Sequence, residues 1–300
     1  MLSFLFENFF GKKKNKKNSG ARSIETEQQF LLSHKSDFFL REAYKTMRTN
    51  VTFSLTEEKD CSVIIVTSSM QSEGKSITAT NLAISYAQQG KKVIIIDCDM
   101  RRPKLGRLIG ISSAVGLSNT LIQPELQAQA IHKVEKLGID AILAGDIPPN
   151  PSELLGSGKM TRLLENLKGM YDLIILDTPP INMVTDAMVL APKSDGVLFV
   201  VRANQSERGA VAFAVEQMEY AKAKILGFVL NGVDMENTAY GYSKYRYKRY
   251  HRYRKYGRYE RGYGGYGYGG YGYGYGYGYG YGYGQNSDAP VHTPVEDKEK

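Results

Sequence analysis

Residues 63–81 constrain the fold of this chain more than any other stretch, because they read as a buried strand, a loop and a helix. Residues 63–66 are β-branched and uncharged, as expected of a strand that is buried on both faces. Residues 76–89 carry apolar side chains at helical spacing, and Gly90 is placed to end that helix. Such a turn directs backbone N–H groups and the positive end of a helix at one point, which favours phosphate binding.

The loop ends in Gly74, Lys75 and Ser76, and it matches the phosphate-binding pattern GxxxxGK[ST] except that Ser69 stands in place of the first glycine. In that pattern Lys75 reaches the β- and γ-phosphates of a nucleotide, and the Ser76 hydroxyl ligates Mg²⁺. An ordinary surface loop that opens a helix is the alternative. The residues expected to contact nucleotide here are Ser72, Glu73, Gly74, Lys75, Ser76 and Ile77.

Two further apolar runs end in acidic residues. Residues 93–99 end in Asp97 and Asp99, and residues 173–177 end in Asp177. The ends of parallel strands in an open α/β sheet line one crevice, so we expect the three carboxylates to lie near the phosphate-binding loop. The alternative is structural, since Asp often caps a following helix.

The remaining pattern predicts an α/β fold of the P-loop NTPase type, with a doubly wound, mostly parallel sheet and helices on both faces. Strands are expected at residues 139–143, 196–201 and 225–230, and an amphipathic helix at 205–221. Asn231 ends the last strand. Its side chain is a candidate to hydrogen-bond an adenine edge, or the Asn-Gly pair that it begins is only a turn.

Composition divides the chain into three segments: a basic leader at 1–35, a folded domain at 36–235 and a disordered Tyr/Gly-rich tail at 236–300. The net charge is +8, with positive charge concentrated at 12–17 and 244–261. Basic ends on a balanced centre suggest contact with membrane lipid or nucleic acid. The apolar residues 1–10 are too few to span a bilayer, and either rest on an anionic membrane surface or form a solvated leader.

Cysteine content indicates the compartment. Cys61 and Cys98 each lie beside a predicted buried strand, and two unpaired thiols fit a reducing cytoplasm. We expect a cytoplasmic protein without a transmembrane span.

Eighteen of the 22 tyrosines fall between Tyr240 and Tyr283, first among Lys and Arg and then in a Gly-Tyr repeat. Three interpretations compete: a self-associating low-complexity segment, a surface that stacks nucleic-acid bases, or a set of phosphate acceptors. Attachment to a phosphate-binding domain favours the third. The candidate acceptors are Tyr263, Tyr266, Tyr268, Tyr271, Tyr273, Tyr275, Tyr277, Tyr279, Tyr281 and Tyr283.

Two charged groups are open to more than one interpretation. Glu42, Lys45 and Arg48 recur every three residues in a helix that starts near residue 36, so they share a face that is either solvated or used in association. A basic group follows Asp99 and is expected to clamp phosphate or to contact another subunit. It comprises Arg101, Arg102, Lys104 and Arg107.

Together these stretches resemble the bacterial tyrosine kinases of capsule and exopolysaccharide loci, in their free-standing cytoplasmic form. VTSSMQSEGKS is similar to that family's Walker A motif, IIIDCDMRRP to its Walker A′ and LIILDTPP to its Walker B. The tail is similar to its autophosphorylation region. Glu42, Lys45 and Arg48 are similar to its ring-forming ExxRxxR motif, with Lys45 where the family has Arg.

The resemblance implies ATP and Mg²⁺ as cofactors and autophosphorylation on tyrosine. It implies Lys75 and Asp97 as catalytic residues, Asp97 orienting or deprotonating the tyrosine hydroxyl, and a metal site of Ser76, Asp97, Asp99 and Asp177. It implies recruitment to the inner face of the membrane by an adaptor protein of the polysaccharide co-polymerase type. A homo-oligomer, for which a ring is one arrangement, and a counteracting tyrosine phosphatase are also implied, and no nucleic acid is expected.

Two other classes share parts of this pattern. The Min and Par positioning and partition ATPases share the fold but carry a signature lysine early in the loop, where this chain has Met70. They also lack a tyrosine tail. The second alternative is an ATPase whose tail binds nucleic acid, which salt-dependent binding to single strands would reveal.

Overall fold

A computed structural model describes residues 3–5, 28–55 and 59–233. The strands are β1 (Ser3–Leu5), β2 (Ser62–Ser68), β3 (Val93–Asp97), β4 (Ile131–Val134), β5 (Ile139–Ile142), β6 (Leu173–Asp177), β7 (Gly196–Arg202) and β8 (Ile225–Asn231). The α-helices are α1 (Phe38–Ser54), α2 (Lys75–Ala87), α3 (Leu105–Ile109), α4 (Leu117–Ile122), α5 (Gln127–Ala130), α6 (Pro151–Gly156), α7 (Gly158–Lys168), α8 (Asp186–Leu190) and α9 (Arg208–Tyr220). Short 3₁₀ turns occupy Pro124–Leu126, Glu135–Leu137 and Ala191–Lys193.

The strands form one sheet in the order β1-β8-β7-β2-β6-β3-β5-β4. All neighbouring strands are parallel except β4, which runs antiparallel to β5. The predicted doubly wound, mostly parallel sheet is therefore confirmed. The central strands β2, β3 and β6 are buried almost throughout, which explains why they read as continuous apolar runs rather than alternating ones.

Alternate residues of each strand feed two separate cores. Ile64 and Val66 of β2 pack with α1 and α2 on one face, whereas Val63 and Ile65 pack with α6, α7, α8 and α9 on the other. Because successive strand side chains point to opposite faces, a strand between two helical layers needs apolar residues at every position. This layering leaves the two ends of the sheet as the places where polar groups can gather.

The predicted elements differ from the observed ones mainly at their ends and edges. The strand predicted at 93–99 stops at Asp97, and the helix predicted at 205–221 is Arg208–Tyr220. The sequence pattern predicts neither β4 nor β1. Ser3–Leu5 pairs in parallel with β8 and extends the sheet by one strand within the segment interpreted as a leader.

The folded domain also begins earlier than residue 36. Leu31 and Leu32 are buried in the α1–α2 core. The Leu32 N–H donates to Asn81 Oδ1 at 2.8 Å, and Asn81 Nδ2 donates to the Phe30 carbonyl at 2.9 Å. Residues 30–32 are thus attached to α2 and belong to the domain.

Both cysteines are buried and unpaired with each other. Among the helices in the described ranges, none combines the length and apolar character that crossing a bilayer requires.

Candidate active site

The phosphate-binding loop joins β2 to α2 at the carboxyl edge of the sheet. Gly74 caps α2 with a φ of +95°, and a Cβ added there would lie 2.0 Å from Asn231 Nδ2. Only glycine satisfies both the backbone angle and the close approach. Ser72 also has a positive φ, of +65°, which is an unfavourable angle for a side chain with a Cβ.

Lys75 opens α2 and its side chain is about nine-tenths buried. Its Nζ lies 3.4 Å from Asp99 Oδ2, whose side chain is equally buried. The other Asp99 oxygen accepts from the Arg102 N–H at 3.0 Å. The structure therefore brings together the loop lysine and the second acid of the β3 pair, as the sequence predicts for one crevice.

Asp97 and Asp177 end the adjacent strands β3 and β6 and are directly paired in register. Both are buried. The Asp97 carboxylate is held by backbone N–H groups, those of Asp99 at 3.1 Å, Lys104 at 3.2 Å and Leu105 at 3.1 Å. The loop after β3 thus wraps around the Asp97 side chain.

This arrangement favours the protonated acids. Burial raises the pKa of Asp97 well above its usual range, the neighbouring Asp177 raises it further, and the bonded N–H groups only partly offset this. Burial likewise raises the pKa of Asp177, while Lys75 and the Ser76 hydroxyl lower it. The positive charge of Lys75 is therefore not enough to keep both Asp97 and Asp177 at their usual pKa values.

A bound Mg²⁺ would supply that charge. Asp177 Oδ1 is buried and has no hydrogen-bond partner among the described residues, so it is an available ligand atom. No three acidic, His or Cys side chains within residues 28–55 and 59–233 form a ready ligand cage. Mg²⁺ usually binds through one or two carboxylates together with water and substrate phosphates. The site consequently fits a metal that arrives with a nucleotide.

Three other residues expected to contact nucleotide make contacts with protein groups in this structure. The Ile77 side chain is partly buried against the α1–α2 core. Asn231 Nδ2 donates to the Glu73 carbonyl at 3.0 Å, so its side chain holds the loop, and its contact with adenine stays a prediction. The Glu73 carboxylate is buried among protein groups.

The basic residues after Asp99 are also engaged. Arg101 pairs with the fully buried Asp186 at 3.3 Å. Arg102 Nη1 donates to Gln71 Oε1, in the phosphate-binding loop, at 3.0 Å. Arg102 therefore lies at the loop, whereas Arg101 ties the end of β3 to the start of α8.

Sequence reasoning missed two residues at the site. Arg202 ends β7, and its Nη1 donates to the Ser72 carbonyl at 3.2 Å. Ser206, four residues on, donates through Oγ to the Glu73 carboxylate. No motif marks either residue, because their role depends on β7 lying next to β2.

The residues compared with the ring-forming motif, Glu42, Lys45 and Arg48, do not all lie on the same surface of α1. Lys45 and Glu42 form an exposed ion pair at 2.7 Å on α1. Arg48 is only 8% exposed, and its Nη1 donates to the Ser85 carbonyl at 2.5 Å. The prediction that the three share a surface is wrong for Arg48, because three residues per step drift around a helix that has 3.6 residues per turn.

The candidate phosphate acceptors lie outside the described residues. The described chain stops at Val233, directly after the strand that carries Asn231.

Comparisons with known proteins agree with this geometry. Residues 61–255 match a family model described as ParA, a NUBPL iron-transfer P-loop NTPase. The tyrosine-protein kinase YwqD of Bacillus subtilis is 40% identical over 202 residues, which cover 67% of this chain and 85% of that protein.

Two solved structures are also similar. The kinase domain of the Escherichia coli tyrosine kinase ETK aligns with a TM-score of 0.63 and 35% identity, covering 67% of this chain and 79% of that one. The chimerical protein CapA2B2 aligns with the same TM-score and 34% identity, covering 67% of this chain and 89% of that one. The family model shows the P-loop NTPase fold. The similar proteins YwqD and ETK are both tyrosine kinases.

Proposed function

The chain belongs to the bacterial tyrosine kinases of capsule and exopolysaccharide loci and is a nucleotide-binding protein-tyrosine kinase, and on that premise we propose that it uses ATP and Mg²⁺ to phosphorylate its own tail tyrosines. The observation that carries the proposal is the meeting of Lys75 with Asp97, Asp99 and Asp177 at the phosphate-binding loop. Phosphoryl transfer requires mainly positioning and charge stabilisation, which these residues can supply.

Lys75 binds oxygens of the β- and γ-phosphates after exchanging its contact with Asp99 for the more highly charged ligand. Ser76, Asp99 and Asp177 are the residues that would hold Mg²⁺, directly or through water, with Asp97 close by. The ion would neutralise charge on the phosphates.

Asp97 orients the incoming tyrosine hydroxyl and accepts its proton. The phenol oxygen then bonds to the γ-phosphorus, and the bond from that phosphorus to the β,γ-bridging oxygen breaks to release ADP. A free phenol has a pKa of about 10 and needs such a base at pH 7. Mg²⁺ bound beside Asp97 would lower its raised pKa, so that the carboxylate is ionised and can accept the proton.

We further propose that a membrane adaptor of the polysaccharide co-polymerase type activates the kinase and recruits it to the inner face of the membrane. A tyrosine phosphatase would reverse the modification, and the output would be control of capsule or exopolysaccharide synthesis. Association of subunits would use the exposed Glu42–Lys45 pair without Arg48.

Incubation with ATP and Mg²⁺, with and without the cytoplasmic tail of a candidate adaptor, tests this function. We expect phosphotyrosine to map between Tyr263 and Tyr283 and to increase when the adaptor tail is present. ATP hydrolysis without phosphotyrosine under both conditions would contradict the proposal.

A further inference from the structure

The phosphate-binding loop contains a buried carboxylate that no nucleotide-binding role explains. Glu73 is 1% exposed, one residue before Gly74 and two before Lys75. A negative charge at this position would repel phosphate if it faced the crevice. Its contacts indicate that it faces the protein instead.

The Glu73 carboxylate is satisfied by three donors. Ser69 Oγ lies 2.9 and 3.1 Å from its two oxygens, and the Met70 N–H donates to Oε2 at 2.9 Å. Both donors belong to the same loop. The third, Ser206 Oγ, comes from the segment after β7.

Ser206 in turn is fixed to the sheet. Its Oγ accepts from the Arg202 N–H at 2.8 Å, and its own N–H donates to the Arg202 carbonyl at 2.9 Å. The hydroxyl therefore connects the end of β7 to the loop after β2, because its O–H donates a hydrogen bond to the Glu73 carboxylate.

Two loop carbonyls are held from the same side. Arg202 Nη1 donates to the Ser72 carbonyl, and Asn231 Nδ2 donates to the Glu73 carbonyl. In a trans peptide the carbonyl and the following N–H point in opposite directions. The N–H groups of Glu73 and Gly74 are therefore turned away from Arg202 and Asn231. They are free to face an anion only while these carbonyls stay held.

We propose that Glu73 and Ser206 are positioning residues for nucleotide binding, and that with Arg202 and Asn231 they form a clamp that keeps the N–H groups of the loop turned toward the phosphates. The clamp also holds Ser72 at a positive φ that a serine does not favour. This inference rests on the proposed ATP site, since the clamp acts only through the loop that binds phosphate.

Ser206→Ala is the primary test, with Ser194→Ala as its matched control. Ser194 precedes β7 at the opposite end, and its Oγ donates to the Ala191 carbonyl at 2.9 Å. Each change removes one hydroxyl, but only Ser206 touches the loop. We expect Ser206→Ala to weaken ATP binding about five- to tenfold, the loss typical of one ordinary hydrogen bond. Ser194→Ala should bind ATP as the unchanged protein does.

Separation of KM from kcat distinguishes positioning from general damage. Ser206→Ala should raise the KM for ATP and leave kcat at saturating ATP largely unchanged, and Ser206→Thr should restore the KM because it retains the hydroxyl. An unchanged KM in Ser206→Ala, or a fall in kcat alone, would overturn the proposal.

Glu73→Gln provides a second variant should Ser206→Ala melt at a lower temperature than its control. Glutamine keeps the size of the side chain but removes one of the two acceptor oxygens and the charge. We expect weaker ATP binding. Tighter binding would mean that the carboxylate faces and repels the phosphates, which contradicts the clamp.

Failure of the clamp and failure of the proposed function give different results. Nucleotide binding that falls in Ser206→Ala while the unchanged protein forms no phosphotyrosine would retain the clamp and reject tail phosphorylation. Tail phosphorylation with the same KM in both proteins would reject the clamp alone.

Discussion

Asp97 and Asp177 lie directly opposite each other on the paired strands β3 and β6, and both are buried. Burial raises the pKa of both carboxylates in the folded protein, Asp177 raises that of Asp97 further, and Asp99 raises that of Asp177. A site with this arrangement is stabilised by cations. Lys75 and the metal that accompanies a nucleotide are the cations that the fold can bring there.

Lys75→Met should abolish ATP-dependent tyrosine phosphorylation, and it should also lower the melting temperature, because Asp99 loses its buried partner. The lysine stabilises charge on the transferring phosphate, and loss of one such group lowers the rate by about a hundredfold or more. Lys91→Met is a suitable control, because Lys91 pairs with Asp172 on the surface, away from the loop. Undiminished phosphotyrosine in Lys75→Met would contradict the assignment.

Asp97→Asn should lower the rate of phosphoryl transfer more than it lowers ATP affinity. Asn cannot accept the phenol proton, whereas Ser76, Asp99 and Asp177 remain to hold Mg²⁺. Calorimetric ATP titration and a single-turnover phosphorylation assay on the same preparation make the comparison. Equal losses in affinity and rate would assign Asp97 to metal binding alone.

Without Mg²⁺ the protein should become less stable as pH rises. A folded-state pKa above the unfolded value means that the folded protein binds more protons, so the free energy of unfolding falls as pH rises between the two values. The unfolded carboxylates titrate near pH 3.8, and the folded ones at higher pH.

Thermal unfolding in EDTA at a series of pH values measures this dependence. Mg²⁺ with a nucleotide should reduce the slope, and Asp97→Asn should reduce it even in EDTA. A stability that rises steadily from pH 5 to pH 8 in EDTA would be inconsistent with the raised pKa values.

Arg48→Ala should destabilise the domain, whereas Lys45→Ala should not. Removal of Arg48 leaves the Ser85 carbonyl without its buried donor, which costs about 1–3 kcal/mol in the free energy of unfolding. Lys45 is exposed, and its loss should change that energy by less than about 0.5 kcal/mol. Urea unfolding of both variants decides the matter, and equal effects would contradict the inward position of Arg48.

Tail phosphorylation should occur between subunits. A Lys75→Met subunit that keeps its tail is mixed with an active subunit truncated after Asp234, in the presence of the adaptor tail. The subunit with a tail is inactive and the active subunit has no tail. Phosphotyrosine between Tyr263 and Tyr283 can therefore come only from transfer between subunits. An unmodified inactive partner would exclude it.

The strands that carry the acids were predictable, because a strand buried on both faces has no polar position until it ends. Asp97 and Asp177 therefore stood out at the ends of apolar runs, and parallel pairing brought them together. The family prediction relied on the same motifs and is confirmed by the similar tyrosine-protein kinases.

Features that depend on neighbouring strands were not predictable. Ser206 donates to the Glu73 carboxylate because β7 lies next to β2. The sequence around Ser206 gives no indication of that strand pairing. Strand β4 has four residues, of which only Val134 is buried, so it has no clear periodic pattern. Arg48 is of a residue type usually found at the surface, but here it is buried and donates to the Ser85 carbonyl of α2.

The pairing of Ser3–Leu5 with β8 gives the outermost long strand of the sheet a neighbour. A bare β8 would offer a row of unpaired backbone groups to any extended chain, which invites unwanted cross-chain association. A preparation that lacks these residues should therefore be more prone to aggregate during concentration, and a solubility tag fused directly before Ser3 could crowd this protective contact. Strand β8 ends in Asn231, which donates to the Glu73 carbonyl. Disorder of this edge strand would therefore also loosen the phosphate-binding loop.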